Sequence, residues 1–179
     1  KFSKKTILWA GNWGTHKRPE IFMDLARHFL NTDLKFIMVG GHSDKSYVKQ
    51  LLGKCPDNVT LTGHLSFEDA LTYFDQASIL VNTSTSEGFS NTYIQAWLRG
   101  IPTLVFGADP DQVIEQNKLG FSVEIVDKAI KKLEWFFEDI KHYEFCSNNC
   151  LIYSNNHFTV EKMTDNFLKV LANEGVALY

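Results

Sequence analysis

Residues 77–106 read ASILVNTSTSEGFSNTYIQAWLRGIPTLVF and contain two short apolar runs. The runs at 77–82 and 103–106 have the length and apolar character of buried strands. Between them, a polar loop leads into a short helix that ends at Gly100 and is followed by Pro102. A strand, a helix and a second strand in this order predict a βαβ unit, in which the two strands are parallel.

The same alternation continues along the rest of the chain. Apolar runs predict four more strands, at residues 6–10, 34–39, 59–62 and 121–125. Helices are predicted from Pro19, over 44–52, from Ser66, and over 113–117, 127–145 and 159–173. The sequence therefore predicts one α/β domain over residues 1–179: a Rossmann-like parallel six-stranded sheet with helices on both faces.

Composition and charge narrow the classes of function. The formal net charge of −3 gives no general attraction for nucleic acid, so we expect no nucleic-acid partner. The three cysteines indicate the reduced thiols of a cytoplasmic protein and not a disulfide framework. Cys146 and Cys150 are four residues apart, but a zinc site needs four ligands, so no metal and no cofactor are predicted. No apolar run approaches the roughly 20 residues that span a bilayer.

Four loops follow the predicted strands and define the expected ligand site. They contain residues 11–14, 40–42, 63–64 and 84–88, and they are rich in glycine, histidine and small polar residues. Because ligands of open parallel sheets bind outside the carboxyl ends of the strands, we expect these loops to face one crevice. His42 and His64 end strands near this crevice and are otherwise ordinary surface histidines.

The first loop excludes two common nucleotide motifs. Gly11 and Gly14 supply only two of the glycines of the dinucleotide fingerprint, at the wrong spacing, and no Walker A sequence follows. The loop ends in His16-Lys17-Arg18, which can point cations at the crevice. The alternative is a solvated basic corner, although cations at the start of a helix are slightly disfavoured by its dipole.

The loop after the fourth strand has the features of an anion and hydroxyl site. Asn91 is expected to cap the helix and to leave the amides of Thr92 and Tyr93 available for phosphate oxygens. Gly88 allows the backbone to approach a ligand closely. Glu87 can accept charge-assisted hydrogen bonds from sugar hydroxyls, unless it is an ordinary loop acid.

The helix itself supplies a further polar candidate and several apolar side chains. Gln95 lies about one turn inside the helix and is expected on the same wall as the preceding acid. The large apolar residues of this stretch are expected in the core and not as base-stacking platforms; they are Phe89, Ile94, Trp97 and Leu98.

At this point the sequence resembles a known family. Residues 87–96, EGFSNTYIQA, resemble the EGFxxxxxEA motif of the retaining glycosyltransferases of family four, the group-1 glycosyltransferases with a GT-B fold. The likeness extends to residues 11–19, to Val39-Gly40, to the Gly63 loop, to Ser84 and to residues 100–102. It covers nearly the whole chain in the right order.

The resemblance implies a role for each matching position. Lys17 would bind the diphosphate of a nucleotide-sugar donor, Glu87 would contact the donor sugar, and Gln95 would stand where a Glu usually binds the ribose. Lys17 and Glu87 are then the catalytic residues. The other substrate-binding positions that the resemblance implies are Gly11, Asn12, Arg18, Gly63, His64, Gly88, Phe89, Ser90, Asn91 and Thr92.

Two positions depart from the family pattern. Asn12 stands where an arginine commonly assists the phosphate-binding lysine, and Arg18 or His16 are the candidates to compensate. Gln95 replaces the ribose-binding Glu and is expected to accept a hydroxyl proton through its amide oxygen, with a weaker, neutral hydrogen bond.

The resemblance also implies a missing partner domain. The chain looks like the C-terminal half of a GT-B enzyme, without the N-terminal domain that binds the acceptor, and the helix at 159–173 matches the one that packs against that half. The implied activity is hexosyl transfer with retention from a UDP- or GDP-linked donor. The implied location of the full-length enzyme is the cytoplasm, with peripheral association with the inner face of the membrane as an option. The isolated half is expected to be little active. The alternatives are a nucleotide-sugar epimerase and a non-catalytic binding or assembly domain.

Overall fold

The protein folds around one parallel sheet, and the computed structural model describes residues 5–173. The six strands run in the order β3-β2-β1-β4-β5-β6 and every neighbouring pair is parallel, which confirms the predicted sheet. The strands are β1 (Thr6–Ala10), β2 (Lys35–Val39), β3 (Val59–Leu61), β4 (Ile79–Asn82), β5 (Thr103–Phe106) and β6 (Gly120–Val123).

The strand order creates a crevice at the middle of the sheet. The chain builds outward from β1 to β3 and then returns to place β4 beside β1, with Ile7 opposite Ile79. The loops that leave β1 and β4 therefore run in opposite directions from a shared edge. Open α/β sheets bind ligands at such a switch point.

Helices cover both faces of the sheet. Side chains of successive strand residues alternate, so that Ile7 and Trp9 join the core on one face and Leu8 joins the core on the other. The helices are α1 (Pro19–His28), α2 (Lys45–Leu52), α3 (Phe67–Gln76), α4 (Asn91–Trp97), α5 (Val113–Gln116), α6 (Val126–Glu138), α7 (Ile140–His157) and α8 (Val160–Asn173). α1 and α6 pack on the first face, and α3 and α4 pack on the second.

Three helices begin at or within one residue of the predicted positions. Pro19 is the first residue of α1, where its missing N–H is no loss. Ser66 accepts a hydrogen bond from the Asp69 amide at 3.0 Å at the start of α3. Asp44 accepts from the amides of the first turn of α2. These caps account for the agreement between predicted and observed helix starts.

The prediction of one helix over 127–145 is wrong. Asp139 has extended backbone angles (φ −132°, ψ 130°) and ends α6, and its carboxylate accepts from the Lys141 amide at 3.0 Å to begin α7. The inward face of α7 carries Cys146, Cys150 and Ser154 in place of large apolar side chains. Because this face has almost no apolar periodicity, the sequence does not indicate how far α7 continues.

The buried cysteines are reduced thiols, as expected. The three cysteines are free, and burial raises the pKa of the Cys146 thiol to about 11 and that of Cys150 well above its usual value. Cys150 donates to the Leu119 carbonyl, and so it links α7 to the start of β6. Within residues 5–173, no helix combines the length and the apolar character needed to cross a bilayer.

Candidate functional site

A cavity of about 520 Å³ opens at the carboxyl edge of the sheet. Three of the four expected loops, those after β1, β2 and β3, line it together with α3 and α4. The fourth, residues 84–88, contributes no lining residue. The loops are tied together by the Gly40–Gly63 bridge and by hydrogen bonds from Gly11 N to Val39 O and from Trp13 N to Gly41 O, both 3.0 Å long. The polar lining residues are Asn12, His64, Asn91, Thr92 and Gln95, and the apolar ones include Leu65, Phe67, Leu71, Phe74 and Ile94.

Gly40, in the loop after β2, is a position where the packing of the cavity loops requires glycine. Its φ is +127°, and a Cβ built there would lie 1.8 Å from the Gly11 carbonyl oxygen. Any side chain would therefore push the first two loops apart. Gly88 differs, because an added Cβ meets nothing within 4 Å there. The fold itself does not demand a glycine at Gly88.

Lys17 and Glu87 form an ion pair that joins the loop after β1 to the loop after β4. Their side chains are only 21% and 13% exposed. The same carboxylate oxygen, Glu87 Oε1, also accepts from Ser84 Oγ at 2.6 Å and from Asn82 Nδ2 at 3.1 Å. Burial raises the pKa of Glu87, but the hydrogen bonds from these three donors outweigh it and hold the pKa below its usual value. Glu87 is thus an ionised, positioned carboxylate at neutral pH.

Sequence reasoning missed Asn82 and Ser84, the neutral partners of this carboxylate. Asn82 is the last residue of β4 and is buried, although most buried strand residues of this sheet are apolar. Its side-chain oxygen also accepts from the Ser84 amide at 2.8 Å, which turns the loop back toward the acid. The sequence did carry a signal for these partners: Asn82 ends an apolar run, and Asn82 and Ser84 precede Glu87 by five and three residues.

The Lys17 loop is held in place by the residue that follows it. Arg18 has a left-handed backbone (φ 47°) at the start of α1. Its guanidinium donates to the carbonyls of Thr83 (2.6 Å), Ser84 (3.0 Å) and Phe106 (3.1 Å). Arg18 Nε and Nη2 are thus bound to main-chain carbonyls, while Nη1 has no hydrogen bond within residues 5–173; that Arg18 or His16 compensates for the arginine missing at Asn12 stays a prediction. Arg18 braces the two loops that carry the ion pair.

The start of α4 also differs from the expectation. Ser90 and not Asn91 is the capping position, and no side chain caps the helix there. Asn91 is the first helical residue. The Tyr93 amide donates to the Ser90 carbonyl at 3.0 Å, so this amide is not available for a phosphate. The Ser90 and Thr92 hydroxyls lie 2.9 Å apart, and Thr92 lines the cavity.

The aromatic and apolar residues of this stretch divide into two groups. Trp97 is fully buried, and its indole donates to Thr103 Oγ1 at 2.9 Å. Phe89 and Leu98, which were expected in the core, are 45% and 41% exposed. Phe89 still contacts the Trp97 and Phe158 rings, so that it lies at the rim of this aromatic cluster and outside its centre.

The remaining predicted positions lie in the loops that surround the cavity. Asn12 and His64 are exposed and line it, and Gly63, which precedes His64, has a positive φ of 73° and is bridged to Gly40. His16 is exposed, and its backbone carbonyl accepts from the Thr85 amide. No cluster of three or more potential metal ligands occurs among residues 5–173.

Comparisons with known proteins match this sequence to one family. Residues 4–139 match the family described as glycosyl transferases group 1. A GDP-mannose-dependent alpha-mannosyltransferase of Corynebacterium glutamicum is 24% identical over 149 residues, which are 81% of this chain and 34% of that protein.

Solved structures agree in fold. Anabaena HepE in complex with UDP-glucose has a TM-score of 0.81 at 17% identity, covering 96% of this chain and 49% of that one. The C-terminal domain of LpcC, a group 1 family glycosyl transferase of Francisella tularensis, has a TM-score of 0.76 at 17% identity and is covered to 88%, as is this chain. The chain thus spans between a third and a half of the first full-length relatives, and its Rossmann-like fold matches GT-B glycosyltransferases.

Proposed function

We propose that this chain, which belongs to the group 1 glycosyl transferases, is the donor-binding half of a GT-B enzyme of family four. The enzyme transfers a hexose from a nucleoside-diphosphate sugar to an acceptor with retention of configuration. The observation that carries the proposal is the part-buried Lys17–Glu87 pair, which joins the loops after β1 and β4, in a domain whose loop after β1 also lines a cavity of about 520 Å³.

The cavity has the division of chemistry that a nucleotide needs. Its apolar lining, with Leu71 and Phe74 of α3, suits a base, while its polar lining, with Asn12, Asn91 and Thr92, suits phosphate oxygens and hydroxyl groups. Lys17 would bind the diphosphate and stabilise the negative charge that grows on it as the sugar departs. Glu87 remains ionised and would accept hydrogen bonds from sugar hydroxyls.

Two further observations support the division into halves. The chain covers 49% of HepE but 88% of an isolated C-terminal domain. The apolar side chains along α8 are also exposed, as on a surface that packs against another domain; they are Val160, Met163, Phe167 and Val170. We assign the acceptor site to the N-terminal domain, and we expect little turnover by this half alone.

The names of the similar proteins support two candidates for the donor nucleotide, UDP and GDP. The Corynebacterium protein is named for GDP-mannose, and HepE was crystallised with UDP-glucose. We therefore propose a UDP- or GDP-linked hexose as the donor. For the full-length enzyme we propose a cytoplasmic location, with peripheral contact at the membrane.

Titration calorimetry with UDP and GDP tests the proposal. Lys17→Ala is expected to weaken binding by about 1–3 kcal/mol, the contribution of a hydrogen bond to a charged group. Lys131→Ala, which removes an exposed lysine from α6, is the matched control and should bind as the unmodified chain does. Unchanged affinity in Lys17→Ala would refute the role of Lys17.

The two alternatives predict other results. A nucleotide-sugar epimerase would release a free epimerised sugar nucleotide from the full-length protein without any acceptor. A non-catalytic domain that had lost donor binding would bind no sugar nucleotide at millimolar concentration. No contact within the described residues favours either of them over the transferase.

A further inference from the structure

The side chain of Gln95 is held in one orientation by its neighbour on α4. Arg99 Nη1 donates to Gln95 Oε1 at 3.1 Å and to the Gln95 backbone carbonyl at 3.0 Å. The other side of the same guanidinium donates through Nε to Asp75 Oδ1 on α3, at 2.8 Å. Arg99 is therefore fixed from two helices, and it fixes Gln95 in turn.

This arrangement determines which amide atom faces the cavity. A guanidinium has donors and no acceptor, so the Gln95 atom that faces Arg99 must be the oxygen. A flipped amide would place two donors against each other. The Gln95 NH2 group has no protein acceptor among residues 5–173, and Gln95 lines the cavity. The group that this position offers to a ligand is thus a donor.

The position of Gln95 indicates which part of a ligand it meets. It follows Asn91, at the polar start of α4, by one helical turn, and it lines the same cavity as the apolar side chains of Leu71 and Phe74 on α3. In a nucleotide, the pentose lies between the base and the phosphates. Its polar groups are hydroxyls, which can both donate and accept.

We propose that Arg99 is a positioning residue that makes Gln95 a hydrogen-bond donor to a pentose hydroxyl oxygen of the bound nucleotide. The inference rests on the proposed function. It reverses the polarity of the contact, because the sequence alone suggests that the Gln95 oxygen accepts from the hydroxyl. A donor at this position requires the hydroxyl oxygen of the ligand and does not require its hydrogen.

Analogues of UDP separate these two requirements, with the GDP series used instead if GDP binds more tightly. A 2′- or 3′-deoxy analogue lacks the oxygen, whereas the corresponding O-methyl ether keeps the oxygen as an acceptor and lacks the hydrogen. Titration calorimetry would give the ratio of each analogue's Kd to that of the parent diphosphate. The ratio is measured for the unmodified chain and for three variants: Gln95→Glu, Arg99→Ala and Arg99→Lys.

The expected pattern is a change in the O-methyl ratio and not simply a loss of affinity. In the unmodified chain, removing the contacted oxygen should weaken binding about fivefold, as for one neutral hydrogen bond. Gln95→Glu presents a carboxylate acceptor, so its O-methyl ratio should exceed that of the unmodified chain by about tenfold or more. The steric cost of the methyl group is common to both proteins and cancels in this comparison.

Arg99 is tested in the same way. Arg99→Ala lets the Gln95 amide turn, so that its oxygen can accept from the hydroxyl, and the O-methyl ratio should rise by about threefold. Arg99→Lys keeps a donor-only side chain beside Gln95 and should restore the ratio of the unmodified chain. A merely structural role for Arg99 would change the melting temperature or all affinities together and would leave this ratio unaltered.

The outcomes separate this inference from the function on which it rests. Equal O-methyl ratios in the unmodified chain, Gln95→Glu and Arg99→Ala would overturn the donor role, even though UDP binding itself would still support the proposed function. Failure of both UDP and GDP to bind the unmodified chain at millimolar concentration would overturn the proposed function, and this inference with it.

Discussion

Glu87→Gln removes one charge from the centre of the site and leaves the side chain nearly the same size. In the structure, Glu87 Oε1 accepts from Lys17, Ser84 and Asn82. A hydrogen bond to a charged group contributes about 1.5–3 kcal/mol, and a neutral one about 0.5–1.5 kcal/mol. Because the three donors share one oxygen, their losses do not add, and we expect the free energy of unfolding to fall by about 2 kcal/mol at pH 7.

The pH dependence of this loss identifies its cause. Glu87 has a folded-state pKa below its usual value, so its ionised form stabilises the fold above the unfolded-state pKa. That contribution is lost as the pH falls through the lowered pKa. The Glu87→Gln variant does not titrate there. The difference in unfolding free energy between the two proteins should therefore be constant around neutral pH and should shrink in acid.

Urea unfolding followed by tryptophan fluorescence, at pH 7 and in steps toward acid, measures this difference. The expected loss corresponds to a fall in melting temperature of about 4–8 °C for a domain of this size. Glu124→Gln is the control, because Glu124 forms an exposed ion pair with Lys128 and should change stability little. A Glu87→Gln variant as stable as the unmodified chain at pH 7, or a loss that persists unchanged in acid, would refute the reasoning.

Two pairs of substitutions test the packing around the site. Gly40→Ala places a Cβ 1.8 Å from a backbone oxygen and should lower the unfolding free energy by about 2 kcal/mol or more. Gly88→Ala, where the added Cβ meets nothing, should leave stability unchanged and weaken UDP or GDP binding in calorimetry. Equal losses of stability in the two variants would contradict this difference. The buried Trp13 indole nitrogen has no partner among residues 5–173, so Trp13→Phe should cost less stability in urea unfolding than Trp97→Phe, which also leaves Thr103 Oγ1 without its donor. The reverse order would show that the Trp13 nitrogen has a partner after all.

The sequence predicts the sheet well for a physical reason. Each strand is an apolar run bounded by glycine or polar residues, and a buried parallel strand needs little more than that. The bounds of β1 and β5 agree at both ends. The bounds of α7 were not predicted, because its buried face is made of the small residues Cys146, Cys150 and Ser154. Cys150 and Ser154 also donate hydrogen bonds to main-chain carbonyls. Such a face has no apolar period to detect.

Sequence alone could predict a site residue only where the charge of its side chain indicates its role. Lys17, within a basic run, and Glu87 stand out as a cation and an acid in loops after neighbouring strands. The direction of an arginine is different, because it depends on acceptors far along the chain. Arg18 finds carbonyls 65 to 88 residues away, and Arg99 finds Asp75 24 residues away. The role of Arg18 and the orientation of Gln95 are therefore tertiary properties.

The shared oxygen of Glu87 also explains how one site can serve two parts of a donor. In the free protein, Lys17 and Glu87 neutralise each other between the loops that follow β1 and β4. Under the proposed function, an arriving diphosphate competes for Lys17. Glu87 does not become an unpaired buried charge when Lys17 turns away, because Ser84 and Asn82 still donate to it from the end of β4. The carboxylate then stays ionised and in place beside the diphosphate, where the hydroxyls of the attached sugar can take over the contact that Lys17 leaves.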